Sequence, residues 1–327
     1  MRNSPILSII IVNWNVKHLL SACIKSIYQY YSTDNFEIIV IDNHSSDGSI
    51  KYISDRYSKI KLFENKKNLG FARANNQGIC QSDSRYLLLL NPDTLWIDDS
   101  LHRMIEFMEK NPKVGAIGPR LLNSDRQSIQ YWCARRLPHP IDSFLEFSKL
   151  NLLFPDSNLS RRHLISDWDH KSDRKVECLS GACMLIRRET IQEVGLLDEG
   201  YPLYFEDTDL CHRIGSRQWE LYYYAKAQLV HFGQQSSMQN HGPATIKSVK
   251  GIYRYYHKFY GLRASLLAWA LIFPSAILKI IAWFFLGVLR ADIRTEAIGQ
   301  VKAYIRGCGL KPNTGEFSRI ETICGNK

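Results

Sequence analysis

The stretch Leu87-Leu88-Leu89-Leu90-Asn91-Pro92-Asp93 constrains the fold more than any other. Four consecutive leucines predict a strand buried on both faces, the kind found in the middle of a parallel sheet. The strand must stop at Asn91-Pro92, because proline has no N–H to give to the ladder. Asp93 then stands just past the carboxyl end of a central strand, the edge where open α/β sheets bind ligands. A carboxylate there suits a divalent cation by hard oxygen ligation. The same residue could equally serve the next helix, since Asp98-Asp99-Ser100 opens a helical stretch over 101–110.

The residues before it alternate between strand and helix patterns. Residues 7–12, 36–41 and 60–64 are apolar runs that read as strands, and 19–31 and 50–56 carry helical spacing. Such alternation over the first ~120 residues predicts a βαβ-type parallel sheet. Every polar cluster in this half follows a strand: Asn13 to Asn15, Asp42 to Asp47, Asn68 to Asn76, and Asn91 to Asp93. Ordinary βα turns favour the same residue types, so the signal is that four clusters meet on one edge.

Neither G-x-G-x-x-G nor G-x-x-x-x-G-K-[ST] occurs, which argues against a dinucleotide oxidoreductase and a P-loop enzyme. A nucleotide bound here must be held by carboxylates, amides and a metal on its phosphates. The net charge of +10 favours an anionic partner. The basic residues form no long run, which weakens a nucleic-acid reading. Eight cysteines without a C-x-x-C pair read as reduced thiols, and no zinc site or disulfide framework is expected. The chain enters its first strand without a signal-peptide cleavage region, so the catalytic part is expected in the cytosol.

Residues 125–175 mix aromatic, basic and proline residues, among them Trp132 and Arg135, and read as a mobile, partly helical insertion. Acceptor binding and a solvated loop are both open for it. Residues 176–186 read as a strand pair interrupted at Gly181, where a ligand can approach closely. Glu206, Asp207 and Asp209 crowd the first turn of a helix, where the helix dipole favours negative charge. Helical spacing puts Glu206 and Asp209 on one side and Asp207 on another, so separate tasks are expected. Asp209 is expected to act at the helix start. His231 ends a strand and precedes a polar loop over 234–240. Residues 262–289 are almost wholly apolar, interrupted by Pro274 and Lys279. That interruption favours a hairpin or interfacial segment in one leaflet over a spanning helix, with a buried helix pair as the alternative. The basic tail after Arg290 suits the anionic cytoplasmic face.

Seven pieces in order resemble a known family: I-I-I-V-N-W-N (9–15), V-I-D-N-H-S-S-D-G-S (40–49), N-L-G-F-A-R-A-N-N-Q-G (68–78), L-L-N-P-D (89–93), G-A-C-M-L-I (181–186), Y-F-E-D-T-D-L-C-H-R (204–213) and V-H-F (230–232). The chain is similar to family 2 glycosyltransferases of the rhamnosyltransferase-like branch. The resemblance implies an α/β GT-A fold with a mainly parallel central sheet, followed by a C-terminal apolar helical, membrane-associated segment. Residues 1–240 would be the catalytic domain, with a nucleotide-sugar half (1–120) and an acceptor half (121–240), and 241–327 the C-terminal helical region. Donor contacts would come from Asn13, Asn15 and Asp42, the last to the pyrimidine base. Asn68, Gly70, Phe71, Arg73, Asn75 and Asn76 would lie along the ribose and diphosphate. Asn91 stands where the family usually has the first carboxylate of Asp-x-Asp. Asp93 and His231 would hold Mg²⁺ or Mn²⁺, Gly181 and Glu206 would meet substrate, and Asp207 would be the base.

The implied reaction is inverting transfer of a sugar, by branch rhamnose, from a dTDP- or UDP-linked donor to a hydroxyl of a glycan or lipid-linked acceptor at a membrane surface. It would serve cell-surface polysaccharide synthesis on the cytoplasmic face of the inner or plasma membrane. A glycoside hydrolase needs two carboxylates flanking the scissile bond, and no such pair is set here. A nucleotidyltransferase usually carries a Gly-rich basic first loop, unlike Asn13-Trp14-Asn15. A non-catalytic, membrane-associated nucleotide-sugar binding protein is the remaining alternative.

Overall fold

The structure, a computed structural model, describes residues 5–31, 35–154, 157–166, 168–233, 241–290, 292 and 294–308. The predicted polar loop at 234–240 and the basic tail beyond 308 lie outside them. The first half runs β1 (Leu7–Asn13), α1 (Lys17–Tyr30), β2 (Phe36–Asp42), α2 (Ser49–Arg56), β3 (Lys61–Glu64), α3 (Phe71–Cys80) and β4 (Tyr86–Leu90). Its strands pair in parallel in the order β3-β2-β1-β4. Ile9, Ile10, Ile11 and all four leucines of β4 are buried, as continuous apolar runs require when both sheet faces are covered.

Beyond β4 come β5 (Thr94–Trp96), α4 (Ser100–Lys110) and β6 (Val114–Leu122). A 3₁₀ turn over Tyr131–Cys133 leads into β7 (Ala134–Arg135), α5 (Pro140–Ser148), α6 (Leu150–Leu153) and α7 (Asn158–Leu164). Then follow β8 (Arg174–Val176), β9 (Cys178–Leu179), β10 (Cys183–Arg187), α8 (Arg188–Val194), α9 (Glu206–Ser216) and β11 (Glu220–His231). The sheet continues β4-β10-β6-β11-β5, with β8 also on β11 and with β7 and β9 in a separate ribbon. β10 is antiparallel to both β4 and β6, so the parallel first half gives way to mixed pairing in the second.

The chain closes with α10 (His241–Leu289) and α11 (Arg294–Cys308). Here the apolar run differs from its sequence reading. Pro274 lies inside continuous helix, and the break falls at Gly261, whose φ of 78° departs from helical backbone. A proline removes one backbone hydrogen bond, which neighbouring turns and packed helices can absorb. Lys279 does not split the run either. Its ammonium donates to the Phe147 carbonyl and lies 4.3 Å from the Phe147 ring centre and 5.5 Å from that of Tyr304 on α11. The hairpin expected within 262–289 is therefore not formed: the run is one helix, and α10 packs against α11. One side of the run is core, because Ala268 and Ile272 are fully buried with Tyr201, Val249 and Tyr253. The other side is bare: of the 18-residue apolar stretch within Lys247–Leu289, 22% is buried.

Five cysteines are buried free thiols, in line with the reduced reading, whereas Cys80 is disulfide-bonded and departs from it.

A buried charge network ties α10 to the sheet domain. Asp198 accepts from Arg254 Nη2 at 2.8 Å and from Lys258 Nζ at 2.8 Å. Asp209, with no exposed surface, accepts from Arg213 Nε at 2.7 Å, from Tyr201 Oη at 3.2 Å and from Lys258. Asp209 is thus a buried anchor between α9 and α10, and its expected helix-start role is replaced by this one. Asp209→Ala leaves Lys258 and Arg213 short of a buried partner, and denaturant unfolding should show a loss of about 3–5 kcal/mol. At Asp198, burial pushes the carboxyl up, but the Lys258 hydrogen bond and charge and then Arg254 outweigh it and hold it below the usual range. Its stabilising share is complete above the unfolded value of about pH 3.9 and is lost as pH falls through the lowered folded value. Acid unfolding of Asp198→Asn should be correspondingly less steep.

Candidate active site

The donor-side loops are held from within. Asn13, 1% exposed at the end of β1, points its amide at Asp42 Oδ1 (2.7 Å), Ser49 Oγ (2.8 Å) and Ser45 Oγ (3.1 Å). Asp42 Oδ2 accepts from the Ser45 N–H at 2.8 Å. Asp42 is buried, and Asn13 orients it instead of lining the cleft. A carboxylate has about four acceptor sites, so these bonds leave Asp42 further capacity. Asn15 Oδ1 accepts from the Ser46 N–H at 2.7 Å and so ties the first loop to the second.

In the third loop, Asn68 Oδ1 accepts from the Gly70 N–H at 2.9 Å. Gly70 has φ 85°, a left-handed conformation that glycine adopts without steric cost. Phe71 starts α3 and points toward Gly181. Arg73 is half exposed, 3.7 Å from Glu199. The two asparagines that follow turn inward, contrary to expectation. Asn75 donates to the Phe71 carbonyl at 3.0 Å. Asn76 donates to the Leu197 carbonyl (2.9 Å) and Glu199 (3.0 Å) and accepts from the Leu197 N–H (3.0 Å). Both are buried, Asn75 against its own helix and Asn76 against the segment after α8, so they bind protein where ribose and diphosphate contacts were expected.

Asp93 and His231 meet because β5 pairs with the end of β11, with Thr94 opposite His231. Asp93 Oδ1 lies 3.3 Å from His231 Nε2. Gln130 sets the ring. Its Nε2 donates to the His231 carbonyl at 2.7 Å, which turns its Oε1 onto His231 Nδ1 at 2.8 Å. In the neutral ring this contact favours the proton on Nδ1, which leaves the lone pair of Nε2 facing Asp93. Nε2 is buried and without a hydrogen-bond partner. A carboxylate oxygen beside a lone imidazole nitrogen fits a divalent cation. No group of three or more His, Cys, Asp or Glu suited to a metal occurs among the described residues. A cation held by this pair would need further ligands, such as substrate oxygens and water. Gln130, 101 residues away in sequence, carried no signal that reasoning from sequence could have used.

Asn91 connects this pair to the acceptor side. Its N–H donates to the Ala182 carbonyl at 2.9 Å. The adjoining Gly181 N–H donates to Asp207 Oδ2 at 3.1 Å. A side chain at Gly181 would stand 3.3 Å from Asp207 Cβ and 3.7 Å from the Phe71 ring, so glycine allows these three to crowd together. Asp207 Oδ2 also accepts from Arg135 Nη2 at 3.1 Å, and Oδ1 from the Thr208 N–H at 2.7 Å. Arg135 is itself fixed by Trp132 O (2.9 Å) and Thr208 Oγ1 (3.0 Å). Inside a stretch with no clear pattern, it could not be paired with Asp207 from sequence.

The three carboxylates of α9 diverge further than their spacing predicts: Asp207 stands apart as expected, but Glu206 and Asp209 do not share an environment. Asp207 faces Gly181 and Arg135, Asp209 faces α10, and Glu206 is buried with Oε2 unpartnered. Burial, and then the charge of Asp207, push the Glu206 carboxyl well above its ordinary range. A raised acid stabilises the fold fully below its unfolded value of about pH 4.3, and that share is lost as pH rises through the folded value. Glu206→Gln should therefore flatten the loss of stability on going from acid to mildly alkaline pH, as thermal melts at several pH values will register. Asn76→Ala strands the Leu197 N–H and C=O, and should lower stability by about 1–3 kcal/mol in denaturant unfolding.

A model of the family described as Glycosyl transferase family 2 matches residues 8–195, more than half of the chain. The N-acetylglucosaminyl-diphospho-decaprenol L-rhamnosyltransferase of Mycobacterium tuberculosis (strain ATCC 25618 / H37Rv) is 28% identical over 211 residues, 61% of this chain and 67% of that protein. Rhamnosyltransferase WbbL of Escherichia coli (strain K12) is 24% identical over 249 residues, 73% of this chain and 90% of that protein. Among solved structures, the mannosyltransferase PcManGT from Pyrobaculum calidifontis, in complex with GDP-Man and Mn²⁺, superposes with a TM-score of 0.52 at 16% identity. That alignment covers 94% of this chain and 87% of the other and concerns the fold alone. With motifs, sheet and matches in agreement, the chain has the GT-A fold and belongs to glycosyl transferase family 2, with rhamnosyltransferases among its relatives.

Proposed function

We propose that this glycosyltransferase moves a sugar, rhamnose by its relatives, from a dTDP- or UDP-linked donor to a hydroxyl of a lipid-linked glycan, with inversion. The observation that carries this reading is the line of contacts from Asp93 and His231 through Asn91 and Ala182 to Gly181 and Asp207. It brings the Asp93 and His231 pair, and the Asp207 carboxylate braced by Gly181 and Arg135, to one sheet edge, which supports a cation site beside a base. The acceptor class is supported by the relative named as acting on a diphospho-decaprenol substrate. The exposed apolar face of α10 supports membrane association, on the cytoplasmic face if the donor is cytosolic.

Asp93 and His231 would hold Mg²⁺ or Mn²⁺, and Gln130 keeps the imidazole nitrogen turned to it. The cation would supply positive charge to the donor diphosphate. Asp42 orients the base, with Asn13 behind it. The Asn68 and Gly70 turn and the Phe71 ring border the space between donor loop and acceptor half. Asp207 accepts the proton of the acceptor hydroxyl as that oxygen attacks the anomeric carbon and the bond from that carbon to the donor diphosphate breaks, its electron pair leaving with the nucleoside diphosphate; Arg135 and the Gly181 N–H keep the carboxylate aimed. Glu206 sits behind Asp207 and tunes its surroundings.

Asp207→Asn should lower kcat about 10²- to 10⁴-fold with donor affinity nearly unchanged. Steady-state kinetics, with donor binding measured separately, checks this; a near-normal kcat would move the base elsewhere. Asp93→Ala should abolish Mn²⁺-dependent binding of the nucleoside diphosphate and His231→Ala should weaken it, read by calorimetric titration. Unchanged affinity in both would remove the cation from this edge.

A further inference from the structure

Leu153 and Phe154, at the end of α6, are 70% and 64% exposed, and Leu159 on α7 is 53% exposed. The three fall within seven residues of chain, across the α6–α7 corner, where the Ser157 N–H donates to the Phe154 carbonyl, and exposed apolar side chains so close in the chain mark a contact surface more often than bare solvent. The corner is fixed in place by Phe147 at the end of α5. That ring packs edge-on against Tyr304 of α11, and its carbonyl holds the Lys279 ammonium of α10. Leu153 follows Phe147 by six residues, so it lies within roughly 20 Å of that junction by chain length alone. On the α10 side of the junction, Leu278 is 68% exposed and Ile281 47%. Because Lys279 is folded into the protein, its charge does not interrupt this apolar surface.

Charge complementarity names the occupant. Lys149, at the turn joining α5 to α6, is exposed, as are Lys302 and Arg306 on α11. Of these, Lys149 stands at the corner itself, four residues before Leu153, and exposed apolar side chains beside a basic one fit the boundary of an anionic lipid leaflet, where burial of apolar surface and attraction to headgroups add.

We propose that the α6–α7 corner is a second membrane-contacting element, which seats Leu153, Phe154 and Leu159 in an anionic lipid surface beside the bare face of α10. This rests on the membrane association proposed above, and adds a contact on a segment for which the sequence left acceptor binding and a solvated loop open. With two contacts, α10 and the corner, the catalytic edge is held at one orientation to the lipid, which a single helix would leave free to swivel.

The test is co-sedimentation of the full chain with vesicles of phosphatidylglycerol and phosphatidylcholine, and with phosphatidylcholine alone. The double variant Leu153→Ser and Phe154→Ser should partition about tenfold less onto the anionic vesicles, with an unchanged unfolding midpoint because both side chains are already in water. Lys149→Gln should weaken binding to the anionic vesicles and leave the neutral ones unaffected. If the parent binds vesicles and the double variant binds equally well, the corner does not touch lipid and the inference falls while membrane association stands. If the parent binds neither vesicle type, both fall. If the parent self-associates without lipid and the double variant is monomeric, the corner is an interface between copies, and the inference is again overturned.

Discussion

The antiparallel pairing of β10 with β4 is the constraint on which the site depends. Cys183 lies opposite Leu90, so the residues just before β10 fall beside the turn just after β4. That register delivers the Ala182 carbonyl to the Asn91 N–H and leaves the Gly181 N–H for Asp207. A one-residue slip would turn every β10 side chain to the opposite face, and five buried residues make such a slip costly. The proline that ends β4 and the glycine that precedes β10 are therefore complementary: one stops the ladder, the other gives room where the ladder stops.

α9 links that edge to the C-terminal helices. Successive residues on a helix turn by about 100°, so three carboxylates in four positions reach three environments. Asp207 looks into the edge, Asp209 into a buried cluster of cations from α9 and α10, and Glu206 into a buried position beside Asp207 where its Oε2 has no hydrogen-bond partner. The Asp198 and Asp209 cluster is buried on both sides, so the first part of α10 behaves as part of the catalytic domain. The second part, past Gly261, keeps one face on that domain and leaves the other uncovered.

Polar residues in the same loops separate by burial. Asn13, Asn75 and Asn76 look like ligand contacts in sequence, because they follow strands and sit among glycines. In the structure they satisfy backbone and side-chain groups that would otherwise be buried without partners. An asparagine facing a nucleotide and one bracing a loop have the same spacing, and only the direction of the side chain distinguishes them.

What the sequence by itself determined is the part governed by local pattern. Buried apolar runs alternating with helical spacing dictated the parallel first half, and the proline after the leucines located the edge where Asp93 stands. Helical geometry alone separated Asp207 from Glu206 and Asp209. The tertiary structure decided what depends on residues far apart in the chain: Gln130 on His231, Arg135 on Asp207, Arg254 on Asp198, and Lys258 on Asp198 and Asp209. It also decided the course of the apolar run, because Lys279 finds its partner 132 residues earlier and Pro274 is carried by its helical surroundings. Local spacing fixes which way a side chain leaves its own strand or helix; what it meets is set by the packing of elements whose separation in sequence carries no information about their distance in space.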